Sequence, residues 1–307
     1  MTRIAFLGPR GTFAEAALRL LDAAVDAELV PAVSVHAALD LARSGEVDMA
    51  LVPMENSVEG SVPLTLDELS SSGTGLVIID EVVLPVTMTL VAPAGVGLAD
   101  ISRIATHPHA HAQVRGWLDA NLPGVVVLPA LSTAGAAAGL NDLPRMYDAA
   151  IAPAITAEIY KLDVLATNIG DTEDAHTRFV LVQAPGFVPE PTGADKTTLA
   201  LYIHQDQPGA LLAILTEFAV RGVNMTRIES RPTRKVLGDY YFSVDIEGHV
   251  SDARVAEALM GLHRVCLDVR YLGSYPRHDG REPVLRPGVT DADFAEAQDW
   301  LRKLKGN

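Results

Sequence analysis

The sequence predicts an α/β protein in which two similar lobes are followed by a smaller α+β module. Three observations carry that reading. Short apolar strands alternate with helices through the first half, as in a parallel sheet. Segments of the first hundred residues recur in the second hundred. After a stretch rich in Pro, Gly and Thr, the order becomes strand, helix, strand, strand, helix, strand.

Residues 4–7 (IAFL) form the first apolar strand. Gly8-Pro9-Arg10-Gly11 follows, and then Thr12-x-x-Glu15, a capping box opening a helix to about Leu21. Free N–H groups at such a helix start attract anions. A strand over 27–31, a helix capped by Ser34 and stopped at Gly45, and a strand over 49–52 complete the first set. The echo is explicit. Arg3-Ile4-Ala5 returns as Arg103-Ile104-Ala105, Pro31-Ala32-Val33-Ser34 as Pro129-Ala130-Leu131-Ser132, and Asp48-Met49-Ala50 as Asp148-Ala149-Ala150. Residues 84–93 would carry the chain to the second lobe and 168–183 would bring it back.

Two lobes of one plan leave a crevice between them, with the loops after corresponding strands facing each other. The first lobe should supply residues 8–12, including Gly11 and Thr12, and then Glu55, Asn56 and Ser57. The second should supply Thr106, His107, Pro108 and Gln113, with the helix start at Ser132 and Thr133. The returning stretch 171–183 (DTEDAHTRFVLVQ) sets Thr177, Arg178 and Phe179 at the mouth of an apolar strand, a hydroxyl and a guanidinium suited to a carboxylate.

Beyond the linker, Leu199, Leu201 and Ile203 alternate as a strand. A helix with Leu211, Ile214, Leu215 and Phe218 follows, then strands over 224–231 and through Phe242, Val244 and Ile246. A second helix carries Val255, Ala258, Leu259 and Leu262, and a last strand alternates Val265, Leu267, Val269 and Tyr271. Cys266 falls in that last pattern as a buried thiol. This is βαββαβ, with an open sheet edge suited to pairing with a copy of itself. Thr290 caps a final helix whose stripe of Phe294, Ala297, Leu301 and Leu304 is expected to dock.

Composition narrows the function. The chain has 307 residues, 49% hydrophobic and 21% charged, with a formal charge of -15, which disfavours nucleic acid and anionic membranes as partners. No run approaches the roughly 18 apolar residues of a membrane helix. The opening MTRIAFLGPRGTF does not read as a signal peptide, so a cytoplasmic location is expected. The single cysteine excludes an internal disulfide. His107, His109 and His111 lie two apart at a helix start and do not share a face, so no metal is expected there. With no Walker or Rossmann glycine pattern and no evident nucleophile–base pair, no cofactor is expected. A site that grips carboxylates and donates hydrogen bonds remains.

Six stretches in order carry a resemblance: Gly8-Pro9-Arg10-Gly11-Thr12-Phe13, Pro53-Met54-Glu55-Asn56-Ser57, His107-Pro108, Thr177-Arg178-Phe179, Gly209-Ala210-Leu211-Leu212 and Glu229-Ser230-Arg231-Pro232. Together they resemble prephenate dehydratase, over residues 1 to about 275. The resemblance implies a two-lobed, periplasmic-binding-protein-like catalytic domain at 1–187, with lobe one at about 1–84 and 164–187 and lobe two at about 85–163. It further implies a linker at 188–195, a ferredoxin-like ACT regulatory domain at 196–276 and a tail at 277–307. It implies a monofunctional enzyme that turns prephenate into phenylpyruvate, carbon dioxide and water in phenylalanine biosynthesis.

On the same footing, Thr177 assists the leaving hydroxyl and Arg178 partners a carboxylate or braces Glu55. Asn56, Thr106 and Gln113 donate to substrate, and Phe179 forms cleft wall or core. Phenylalanine is the implied effector, held between paired ACT domains by Gly209, Ala210, Leu211, Leu212, Asn224, Glu229, Ser230, Arg231 and Pro232. A homo-oligomer of at least two chains follows, and the resemblance favours a tetramer. This chain departs from the family pattern at Ala175, where Asn is frequent, at His109, where Gln is frequent, and at Ala130. Arogenate dehydratase and a non-catalytic amino-acid sensor are the alternative readings.

Overall fold

The computed structural model describes residues 1–71, 75–172, 174–204, 207–234 and 239–306; Glu173, inside the returning stretch, lies outside the described residues. The first lobe contains β1 (Arg3–Leu7), α1 (Phe13–Leu18), β2 (Glu28–Ala32), α2 (Val35–Ser44), β3 (Met49–Asn56), β4 (Gly60–Ser61), α3 (Pro63–Ser70) and β5 (Val77–Pro85). The second holds β6 (Thr89–Ala92), β7 (Arg103–Thr106), α4 (Pro108–Ala112), α5 (Arg115–Asn121), β8 (Val126–Pro129), α6 (Thr133–Ala138), β9 (Ala149–Ala152), α7 (Ile155–Tyr160) and β10 (Asp163–Ala166). The chain then returns to the first sheet as β11 (His176–Gln183).

The two sheets run β2-β1-β3-β11-β5, with β4 on β3, and β10-β6-β9-β7-β8. Their shared plan is the internal repeat seen in the sequence. β1 lies parallel between β2 and β3, as β7 lies between β8 and β9, with Ile4 opposite Met49 and Ile104 opposite Ala149. Even the aspartates repeat their work. Asp48 accepts the Arg3 N–H at 2.7 Å and Asp148 the Arg103 N–H at 2.9 Å. Ile4, Ala5 and Phe6 are fully buried, as strands covered on both faces must be.

Caps set the helix limits. Ser34 Oγ accepts the Ala37 N–H and Gly45 closes α2 in the left-handed region (φ 76°), while Ser132 Oγ does for α6 what Ser34 does for α2. At α1 only half of the expected capping box forms. Thr12 Oγ1 accepts the Glu15 N–H, but the Glu15 carboxylate turns to Gly11 N–H at 2.7 Å and to Arg19 at 2.7 Å. The helix ends at Leu18, short of the expected Leu21.

By packing, the chain forms two compact units, Met1–Thr65 with Val82–Leu181, and Leu66–Glu81 with Val182–Asn307. The second lobe's sheet and most of the first lobe's belong to the first unit, whereas residues 66–81, expected in lobe one and including the start of β5, group with the second.

The second unit carries β12 (Asp195–Tyr202), α8 (Ala210–Ala219), β13 (Met225–Pro232), β14 (Tyr240–Glu247), α9 (Ala253–Val265), β15 (Asp268–Pro276) and α10 (Asp291–Leu304). Its sheet is antiparallel with order β13-β14-β12-β15, a ferredoxin-like arrangement. Leu199, Leu201, Val244 and Ile246 meet Ile214, Phe218, Val255, Ala258 and Leu262 in one apolar core. The opposite face is polar: Thr198 Oγ1 donates to Asp245 at 2.8 Å and Arg227 pairs with the same carboxylate at 3.0 Å.

Two expectations change here. Cys266 follows α9 instead of lying in a strand, because the helical apolar spacing continues through Val265; burial pushes its thiol up to about 11, with Glu217 adding to the shift. The final helix is tied at its start by the Thr290–Asp293 capping box and by the Ala253 N–H to Asp291 (2.8 Å), but none of its residues is buried and Leu301 and Leu304 stay exposed.

Gly273, in β15, has φ +140°, and a Cβ there would lie 2.1 Å from the Ile78 carbonyl oxygen. No side chain fits that backbone approach. Gly273→Ala is expected to cost about 3 kcal/mol of stability, read as a lowered urea midpoint.

Candidate active site

A cavity of about 470 Å³ opens between the two lobes, lined from both sides by the loops that follow matching strands. That volume suits a small ligand. Each polar group reaches it for a local reason. β3 ends at Asn56, where the chain turns: Asn56 Oδ1 accepts the N–H groups of Val58 (2.8 Å) and Glu59 (3.0 Å). This Asx turn fixes the amide, so Nδ2 must point away from the turn. It donates to Thr177 Oγ1 at 2.8 Å, across to β11. Thr177 is 8% exposed, and its side chain lines the cavity. With one lone pair of Oγ1 occupied by Asn56, the hydroxyl's own proton is left for a ligand.

Gly8, Thr12, His107, Gln113, Ser132, Thr133 and Phe179 also line the cavity. Other expected residues are placed differently. Thr106 is fully buried and spends its hydroxyl proton on the Ile151 carbonyl at 2.8 Å, which leaves none to donate to a ligand. Arg178 follows Thr177 in a strand and therefore points the other way. Its guanidinium lies 3.8 Å from Glu55, and neither residue lines the cavity. Ser57 Oγ instead accepts the His176 N–H at 2.9 Å, tying the turn to β11. Gly11, at φ +86°, supports from outside: a Cβ there would come 2.9 Å from Thr156 Cγ2, and the neighbouring Arg10 carbonyl accepts from Tyr160 Oη at 2.7 Å. Ala175, buried, uses its carbonyl to accept the Val86 N–H at 2.7 Å, stitching the two crossings together.

Sequence reasoning missed part of the lining. Glu59 reaches the cavity from the Asx turn and accepts from His109 Nδ1 at 2.8 Å. Val33 and Leu131 stand at matching places in the two repeats, both fully exposed at the cavity edge. Their equivalence was readable in the repeat itself. His107 caps α4, accepting the His109 N–H at Nδ1; burial and the neighbouring His109 ring pull its pKa below the usual histidine range, with Glu59 opposing. Groups of three or more metal-ligating side chains do not occur among the described residues.

One hydroxyl, that of Thr177, is thus held by the Asn56 amide in a cavity lined by polar groups of both lobes. The prephenate dehydratase family model matches residues 4–186, more than half of the chain, and an ACT domain model matches residues 197–264. The chain belongs to the prephenate dehydratase family. A prephenate dehydratase from Amycolatopsis methanolica is 47% identical over 306 residues, covering 99% of this chain and 98% of that protein. The solved prephenate dehydratase of Arthrobacter aurescens, in complex with L-Phe, is 51% identical, covers 100% of both chains and superposes with a TM-score of 0.93. The structure of GqqA, described as a novel type of quorum quenching acylase, is 34% identical, covering 89% of this chain and 97% of that one, with a TM-score of 0.79.

Within the prephenate dehydratase family's regulatory module, the residues expected to hold an effector do not share one face. On β13, Arg227, Glu229 and Arg231 alternate with Ile228, Ser230 and Pro232. Arg227 pairs with Asp245 on the polar face, so Glu229 and Arg231 point there too. Arg231 is engaged by Asp67 at 3.0 Å, and Tyr241 Oη donates to the same carboxylate at 3.2 Å. Burial, with Asp67 and Tyr202 nearby, pushes Tyr241 up to about 12. Ser230 and Pro232 remain on the helix-bearing face. Gly209, at φ 90°, caps α8 ahead of Ala210, Leu211 and Leu212, while Asn224 precedes β13 and accepts the Glu247 N–H at 2.9 Å.

Proposed function

We propose that this protein catalyses the decarboxylating dehydration of prephenate to phenylpyruvate, carbon dioxide and water, and that Thr177 assists the departing hydroxyl. The carrying observation is the Asn56–Thr177 hydrogen bond inside the cavity. Prephenate already holds most of the driving force, because loss of carboxylate and hydroxyl makes its ring aromatic. The carbon–carbon bond to the ring carboxylate breaks as CO2 forms, its electron pair enters the ring, and the C–O bond breaks as hydroxide leaves, which takes up one proton from solvent to become water. Hydroxide is a poor leaving group, so the enzyme's task is to stabilise negative charge on that oxygen.

A threonine hydroxyl is far too weak an acid to be lost freely at neutral pH. A hydrogen bond that strengthens as charge builds on the leaving oxygen does not require that. The Asn56 N–H on Oγ1 makes the Thr177 proton a better donor by polarisation. Gln113 supplies a second amide in the cavity, and Ser132 and Thr133 further polar groups. The same arrangement argues against acyl transfer through Thr177. An oxygen that accepts an amide N–H, with no base among the described residues drawing off its proton, is set up to donate rather than to attack.

We further propose that phenylalanine regulates the enzyme through the ACT domain, at the α8 start formed by Gly209, Ala210, Leu211 and Leu212 with Ser230 and Pro232. Glu229 and Arg231 would then act from the polar face through Asp67. Support comes from the ACT domain and from the L-Phe-bound relative. The enzyme would work in the cytoplasm as a homo-oligomer, a tetramer on the family pattern. The open edge of β13, the exposed Leu212 of α8 and the exposed Val220 at its C-cap support pairing of these domains.

Purified protein incubated with prephenate should generate phenylpyruvate, followed by its absorbance in alkali; no product would refute the enzyme. Thr177→Val should lower kcat by about 100-fold with little change in KM, whereas Thr177→Ser should stay within about tenfold. Asn56→Asp replaces the donor with an acceptor and turns the Thr177 proton away from substrate, so its kcat should fall by a similar factor of about 100. Gly209→Ala strains the left-handed helix start and should raise the phenylalanine concentration for half-maximal effect at least about tenfold, measured by titrating the rate.

A further inference from the structure

The cavity's described lining contains no lysine or arginine; its ionisable side chains are Glu59, His107 and His109. The proposed substrate is a dianion. A cavity whose acid, Glu59, stood unopposed would repel it, and Arg178 is directed to Glu55 outside the lining. The geometry resolves this at His109. Its Nδ1 lies 2.8 Å from Glu59 Oε1. A carboxylate accepts only, so Nδ1 carries the hydrogen and Nε2 is the ring nitrogen open to a ligand. Glu59 comes from lobe one and His109 from the first turn of α4 in lobe two, so the pair spans the cleft. The Asx turn that aims Asn56 at Thr177 also receives the Glu59 N–H, so one turn positions both the hydroxyl and the imidazole's partner.

We propose that His109, oriented across the cleft by Glu59, recognises a substrate carboxylate through Nε2. In the imidazolium form both ring nitrogens donate, one to Glu59 and one to the substrate. Glu59 thereby becomes the partner of a cation instead of an uncompensated charge facing the dianion. His107 cannot substitute, since its Nδ1 already accepts the His109 backbone N–H and its burial disfavours a charge. The inference rests on the prephenate reading and assigns that site its carboxylate-binding group.

Steady-state kinetics with prephenate test it. His109→Gln should raise KM at least about tenfold while kcat falls far less, because a charge-assisted hydrogen bond is replaced by a neutral one. His109→Arg should recover most of the loss, and Glu59→Gln should raise KM in the same direction but by a smaller factor. Unchanged KM in His109→Gln, or an equal loss in His109→Arg, overturns the proposal and leaves His109 a structural link. A second measurement separates it from the reaction itself. Calorimetric titration of Thr177→Val with prephenate, with and without His109→Gln, should show at least about tenfold weaker binding in the double variant. If the wild type makes no phenylpyruvate yet this difference holds, the reaction reading fails and the carboxylate site stands. If binding is the same in both, the carboxylate site fails.

Discussion

The hydrogen bond from Asn56 to Thr177 joins residues 121 positions apart, and the arrangement of the first unit is what makes it possible. β3 and β11 must be neighbours in the first sheet, which requires the chain to leave that sheet after β5, build a second lobe and come back. The Ser57–His176 and Val86–Ala175 hydrogen bonds hold the crossing in register beside it. An Asx turn then removes the last freedom by fixing which end of the Asn56 amide faces Thr177. The hydroxyl is therefore preorganised by backbone geometry, so little reorganisation is left for the moment of reaction.

Much of this was legible in the sequence, for identifiable reasons. Ser34, Gly45, Ser132 and Thr290 act locally, and local signals survive folding. The repeat of Asp48 at Asp148 was visible because both serve the same backbone N–H in duplicated lobes. Thr177 and Asn56 were placed at the crevice by the strand mouth and the lobe repeat, but their roles came only with the family resemblance, since no periodicity links them. What the sequence hid depends on direction and distance. Thr106 looked like a ligand donor, but a strand neighbour, Ile151, takes its proton. Arg231 looked like part of an effector pocket, yet its partner Asp67 lies 164 residues away, and only the folded second unit shows residues 66–81 belonging there. Glu59 was passed over because nothing local reveals that its turn faces His109.

Charge is distributed with the same economy. The chain carries a formal charge of -15 and the reaction we propose consumes a dianion. The arginines near the cleft are committed elsewhere: Arg19, with Arg10 at longer range, to the fully buried Glu15, and Arg178 toward Glu55. Glu15 needs them, since an isolated buried carboxylate would cost several kcal/mol, roughly speaking, and it also takes the Gly11 N–H that would otherwise open α1 toward an anion. The anion-attracting helix start expected from the sequence is thus closed by its own glutamate. Recognition is left to neutral donors and to a histidine.

Such a lining fits a reaction in which the substrate changes charge. The ring carboxylate leaves as neutral CO2, so a site built from fixed arginines would hold the starting dianion most tightly and lose much of that hold in the transition state. Neutral donors do the opposite when aimed at the leaving oxygen. The Thr177 proton interacts weakly with an alcohol and strongly with a departing hydroxide, so its contribution grows along the reaction. A described lining without lysine or arginine is then consistent with catalysis by differential binding: the side-chain carboxylate that persists is held at one edge, and the strongest change in hydrogen bonding is reserved for the oxygen that leaves.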